Sequence, residues 1–109
     1  MDMISYNGIL MSEQDLFIKV IDQLNKDLLY SGFTHQFSKK LTYAQFLIEF
    51  SEWTEDSVLN KEGKFINFLY RVDVMAKKVI EEGIFNKEKI VKVVLERVLQ
   101  KIIFRNEMG

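Results

Sequence analysis

The chain has no cysteine and no proline, one histidine, one tryptophan and five glycines in 109 residues. Without cysteine there is no disulfide, no thiolate metal site and no cysteine nucleophile. That composition suits a reducing compartment, and a cytoplasmic location is the expectation. Without proline, every connection must be made by Gly, Asn, Ser, Thr or Asp. The glycines (Gly8, Gly32, Gly63, Gly83, Gly109) are scattered. No phosphate-cradling or dinucleotide loop can be drawn from them, so they read as helix stops and turns. No apolar run approaches the roughly 20 residues that span a bilayer. Residues 1–11 have neither a basic start nor a long apolar stretch, so no secretory signal is expected. The net charge of −1 gives the chain as a whole no pull on polyanions.

What is present is apolar and aromatic. Hydrophobic residues make up 48% of the chain, with nine Phe, four Tyr and one Trp. That is enough to build one core filled largely by rings, and the length leaves no room for a second. Residues 1–11 lack helical periodicity and read as an N-terminal arm, with Asn7-Gly8 as a turn; residues 12–109 read as a single helical domain. The charges are uneven: residues 1–62 hold ten acids and five bases, and residues 77–105 hold eight bases and four acids. Attraction between the two halves, within the fold or across a dimer, accounts for this better than a nucleic-acid surface does.

The apolar spacing predicts helices. Ser12 and Asp15 resemble a capping box, followed by Phe17, Val20, Ile21, Leu24 and Leu28 on one face and by Gly32 as the stop. Phe33–Lys40 is a connector anchored by Phe33 and Phe37. Thr42 with Gln45 forms a second capping box and Leu41 with Phe46 a hydrophobic staple; Tyr43, Phe46, Leu47, Phe50 and Trp53 then face inward. Thr54–Gly63 is polar and weakly helical, so a break is expected there. A third helix covers Lys64–Val72. Asp73 is expected to interrupt it and cap a short helix through Glu82, with Gly83 as the stop; a single helix over 64–82 is the alternative. Asn86 caps the last helix. The expected fold is all-α, an irregular bundle of four or five helices.

Chemistry is hard to place on this pattern. The only histidine, His35, lies in the connector with no framed nucleophile beside it, and reads as a loop residue packing its ring or bonding a carbonyl. Glu49, Glu52, Glu55 and Asp56 recur at helical spacing, but the Glu-x-x-His pairs of di-metal bundles are missing. They read as a solvated acidic face beside Trp53. Arg71 and Asp73 in LYRVDV read as a structural pair, or Asp73 as a cap. Tyr6, Tyr30, Tyr43, Tyr70 and Trp53 are rings suited to an interface, most of them expected in the core or at its boundary. No catalytic residue, metal site or cofactor is expected, and the protein is not expected to be an enzyme.

The last helix is apolar on more sides than one neighbour can cover. Ile90, Val91, Val94, Leu95, Val98 and Ile102 form one stripe at about 100° per residue; Val93 and Phe104 fall on a second side and Ile103 on a third. Val93, Ile103 and Phe104 are therefore the candidate interface. The expected function is a non-enzymatic protein-interaction module or small regulator that self-associates through this helix. The alternative is a nucleic-acid-binding regulator using Lys87, Lys89 and Lys92, although the helix's bases do not share one exposed face as a recognition helix requires.

The segments DLFIKVIDQLNKDLLYSGF, INFLYRVDV and QKIIFRNEM, in that order, resemble a group of small bacterial helical proteins of unknown function. The resemblance covers most of residues 12–107. It implies an all-α fold and a bacterial cytosolic origin, and it carries over no site residue.

Overall fold

Helix α1 forms because Phe17, Val20, Ile21, Leu24 and Leu28 recur at three- and four-residue spacing, and all five are buried along Gln14–Tyr30. A computed structural model describes residues 13–108, and side chains through Arg105. The arm at 1–11 and the Ser12 half of the predicted capping box lie outside the described residues. The N-cap of α1 is Glu13, which makes no side-chain cap bond. The helix stops where expected: Gly32 takes φ +92°, and the Phe33 N–H closes on the Leu28 carbonyl at 3.0 Å.

The connector is pinned by a residue the sequence did not single out. Asn25 donates through Nδ2 to the Phe37 carbonyl at 3.0 Å and accepts the Phe37 N–H on Oδ1 at 2.8 Å. One side chain thus satisfies both backbone groups of Phe37 and drops Phe33 and Phe37 into the core, where both are buried. Helix α2, Tyr43–Asn60, starts on the predicted capping box. The Thr42 hydroxyl accepts the Gln45 N–H at 3.2 Å, and the Thr42 N–H donates to Gln45 Oε1 at 3.0 Å.

The expected break over Thr54–Gly63 does not occur. Helix α2 continues to Asn60 and α3, Glu62–Val72, begins after the single residue Lys61, whose φ of −141° turns the chain. Tertiary packing overrides weak propensity here: Thr54 and Ser57 are small enough to sit on the inner face beside Trp53, and all three are buried.

Asp73 does end α3, in the left-handed conformation, with the Val74 N–H on the Leu69 carbonyl at 2.8 Å. The short helix expected from Asp73 to Glu82 is overturned, and so is the single helix over 64–82. A 3₁₀ turn at Ala76–Lys78 is followed by a hairpin of β1, Ile80–Glu81, and β2, Ile84–Phe85, with Ile80 opposite Phe85 and Glu81 opposite Ile84. The physical reason is the turn. Glu82 and Gly83 both take positive φ, +53° and +79°, the pairing that suits a two-residue hairpin loop. Gly83 is a hairpin residue, not a helix stop.

Helix α4, Lys87–Met108, is capped as predicted: the Lys89 N–H donates to Asn86 Oδ1 at 2.9 Å. It packs against all three other helices. That explains why it is apolar on several sides, and Leu99 joins the predicted stripe as a buried residue. The described residues thus form an all-α bundle of four helices with a minimal hairpin.

Eight of the nine phenylalanines form one ring network. It runs from Tyr43 through Phe17, Phe46 and Phe50 to Trp53, branches to Phe33, Phe37, Phe65 and Phe68, and ends at Phe85, with centroid spacings of 5.1 to 6.2 Å along these contacts. Against this wall the Thr54 hydroxyl oxygen is enclosed without a hydrogen-bond partner. Replacing it with a methyl removes a desolvation cost at constant shape. Thr54→Val is expected to stabilise the fold by about 1 kcal/mol, read as a rise of a few degrees in the calorimetric melting temperature; a fall would show that the hydroxyl is satisfied.

Candidate interaction surface

The residues named from sequence for an interface divide in the structure. Val93 and Ile103 are half-buried and pack against the core, so part of the surplus apolar surface of α4 is consumed within the chain. Phe104 is 61% exposed. It is the one phenylalanine outside the ring network among the described residues.

Helical spacing places Phe104 on a line with Val93, Arg97 and Gln100, at intervals of four, three and four residues along the outer side of α4. Beside this line the turn after α3 leaves a groove of about 450 Å³, in which the apolar Val74, Met75 and Val93 alternate with the polar and charged Asp73, Lys78, Glu96, Arg97 and Gln100. Met75 is 54% exposed at its edge. Arg97 is held by Asp73 at 2.6 Å, and the guanidinium hydrogen bond keeps the Asp73 carboxyl below the usual carboxylate range. Asp73 therefore pairs with Arg97 and not with Arg71, whose guanidinium lies over the Tyr30 ring at 4.3 Å.

The basic residues of the alternative reading are not gathered as a free surface. Lys87 pairs with Glu55 at 3.2 Å, and Lys89 pairs with Glu81, holding the Glu81 carboxyl low. Lys92 is exposed. Two of the three cations thus face a carboxylate of this chain, in solvent-exposed pairs, and the three do not form one cluster.

His35 lies edge-on to Phe37 at 4.6 Å, a loop ring packed on the core surface. Among the described residues no group of three or more His, Asp or Glu is placed to hold a metal ion, and no helix is long and apolar enough to cross a membrane.

One polar cluster was not visible in the sequence. Asp27, on the inner side of α1, is only 4% exposed, and its Oδ2 has no hydrogen-bond partner. Gln23 Nε2 donates to Oδ1 at 3.2 Å. Burial pushes the Asp27 carboxyl up despite the attraction of Lys101, Arg71 and Arg105. Burial likewise pulls Lys101 down, and its ammonium reaches the Arg71 carbonyl only at 3.5 Å. Desolvation outweighs mutual attraction for both groups, so the cluster ties α1, α3 and α4 together at an energetic cost.

Comparison of the chain with protein-family models, with curated proteins and with solved structures finds no match in any of the three.

The Asp27 geometry gives a pH prediction. A carboxyl whose native pKa is raised contributes most stability below the unfolded value and loses it as pH rises through the native one. Asp27→Asn abolishes that loss. In urea unfolding from about pH 3 to about pH 7, the stability of the variant relative to the parent is expected to increase with pH. A difference that stays flat would show that Asp27 titrates as an ordinary carboxyl.

Proposed function

We propose that this domain is a non-enzymatic protein-interaction module, and that it self-associates through the outer side of α4. The observation that carries the proposal is the position of Phe104. Every other phenylalanine belongs to the ring network, and this one is presented to solvent in line with Val93, on the side of the helix where Val74, Met75 and Val93 line a groove of mixed polar and apolar character. A large exposed ring beside further apolar surface is the signature of an interface more than of a monomer's skin. Val93 contributes from the groove wall and Ile103 from the flank, each with the part of its surface that the core leaves open.

A working interface here predicts an oligomer whose mass falls on dilution. Phe104→Asp is expected to give a monomer by light scattering at concentrations where the parent associates. Helix content should be unchanged, and stability should stay within about 0.5 kcal/mol because the site is exposed. Val93→Asp is expected to dissociate the assembly and also to destabilise the fold, since Val93 leans on the core. A parent that is monomeric throughout the dilution series contradicts self-association.

A further inference from the structure

A second surface, independent of Phe104, lies on the outer side of α2. Ile48, Glu52, Glu55 and Leu59 are spaced four, three and four residues apart, so they share one face about three turns long. All four are exposed, with Ile48 at 61% and Leu59 at 75%. The stripe thus has an apolar residue at each end and two carboxylates between them. At its C-terminal end it opens into a groove of about 240 Å³, lined by Thr54, Val58, Leu59, Ile84 and Phe85 and by the paired Glu55 and Lys87. Ile84 is 71% exposed because the hairpin turn holds it out from the bundle.

Charge says what fits there. Within Tyr43–Asn60 there are four acids, Glu49, Glu52, Glu55 and Asp56, and no base. Among the described residues the salt bridge to this helix comes from Lys87 to Glu55, between side chains that are both solvent-exposed, so it exchanges readily with another cation. The chain's own residues 1–12 contain one acid and no base, which gives them no electrostatic reason to lie on this face. A second copy paired face to face here would set the Glu52–Glu55 pair against its own counterpart, and like charges oppose that contact.

We infer that the outer face of α2 docks a basic amphipathic helix of another protein. Apolar residues of that helix pack on Ile48 and into the groove between Leu59 and Ile84, and lysines or arginines lie over Glu52 and Glu55. This is recognition of a helix by apolar anchors at its ends, with charge setting register and partner choice.

The probe is a synthetic amphipathic Leu/Lys helix with leucines at both ends of one stripe and lysines between them, titrated into the isotopically labelled full chain. Amide shifts are expected at Ile48, Glu52, Leu59 and Ile84, with binding that weakens as salt is raised. Leu59→Asp is expected to weaken the complex about tenfold, with an unchanged circular dichroism spectrum. The same peptide with Glu for Lys should stay silent on the parent and gain binding to Glu52→Lys. Shifts confined to the Val93–Phe104 side, no shifts at all, or equal binding of the Glu peptide to the parent would overturn the proposal. So would shifts of the same four amides with protein concentration alone, which would assign the face to a second copy. Because the readout is by residue, this test can fail while association through α4 stands, and the reverse.

Discussion

The fold depends on where Trp53 sits. Its indole contacts Phe33 at 5.1 Å and Phe68 at 5.2 Å, and also Phe37, Phe50 and Phe65. Through one side chain the connector, α2 and α3 share a wall. Several of these contacts are edge-on, the arrangement in which the positive rim of one ring meets the negative face of the next. To deliver Trp53 to this position α2 must stay helical through Thr54 and Ser57, and it does so although neither favours a helix. The break is postponed to Lys61, and α3 starts at once because Phe65 and Phe68 are needed on the far side of the same indole.

Against this apolar framework the polar contacts are of two kinds. The ion pairs Lys39–Asp22, Lys87–Glu55, Lys89–Glu81 and Arg97–Asp73 are solvent-exposed, and pairs of that kind add little to stability. The interior contacts decide more. Asn25 fixes the connector by satisfying both backbone groups of Phe37, and Asp27 is buried at a cost where α1, α3 and α4 meet. The first orders a loop that has no secondary structure of its own. The second makes the packing of three helices sensitive to the charge state of one carboxyl.

Much of this was legible in the chain. The face of α1, the Gly32 stop, the Thr42–Gln45 capping box and the Asn86 cap are local signals whose physics does not depend on the rest of the fold, and they stand in the structure as read. The hairpin at 80–85 is hidden in the sequence because Gly83 after Glu82 equally fits a helix stop. Three residues ending in a glycine, Glu81, Glu82 and Gly83, separate the β-branched Val79-Ile80 from Ile84, and that is a hairpin signal. The α2 continuation is hidden as well, because local propensity disfavours a helix there and the burial of Thr54 and Ser57 is a tertiary fact. For the surfaces, Phe104 was visible as a surplus ring, but Val93 and Ile103 could not be separated from it without knowing that α4 packs on three helices. The acidic residues Glu49 to Asp56 were read as a solvated face, and that holds for the exposed Glu52, Glu55 and Asp56. Which apolar residues share it, Ile48 and Leu59, follows only from the direction α2 turns toward Trp53.

We propose that this small bundle uses two outward faces, one side of α4 to join copies of the chain and one side of α2 to hold a partner of opposite charge. On this proposal Phe104 is the ring kept for contact with another molecule, while the other eight phenylalanines belong to the ring network. Fluorine NMR on protein carrying fluorophenylalanine at every Phe position tests it directly, one signal per ring. On dilution the Phe104 resonance is expected to shift or broaden while the eight network resonances hold still. A Phe104 signal indifferent to concentration, or a shift spread over the network rings, would contradict it.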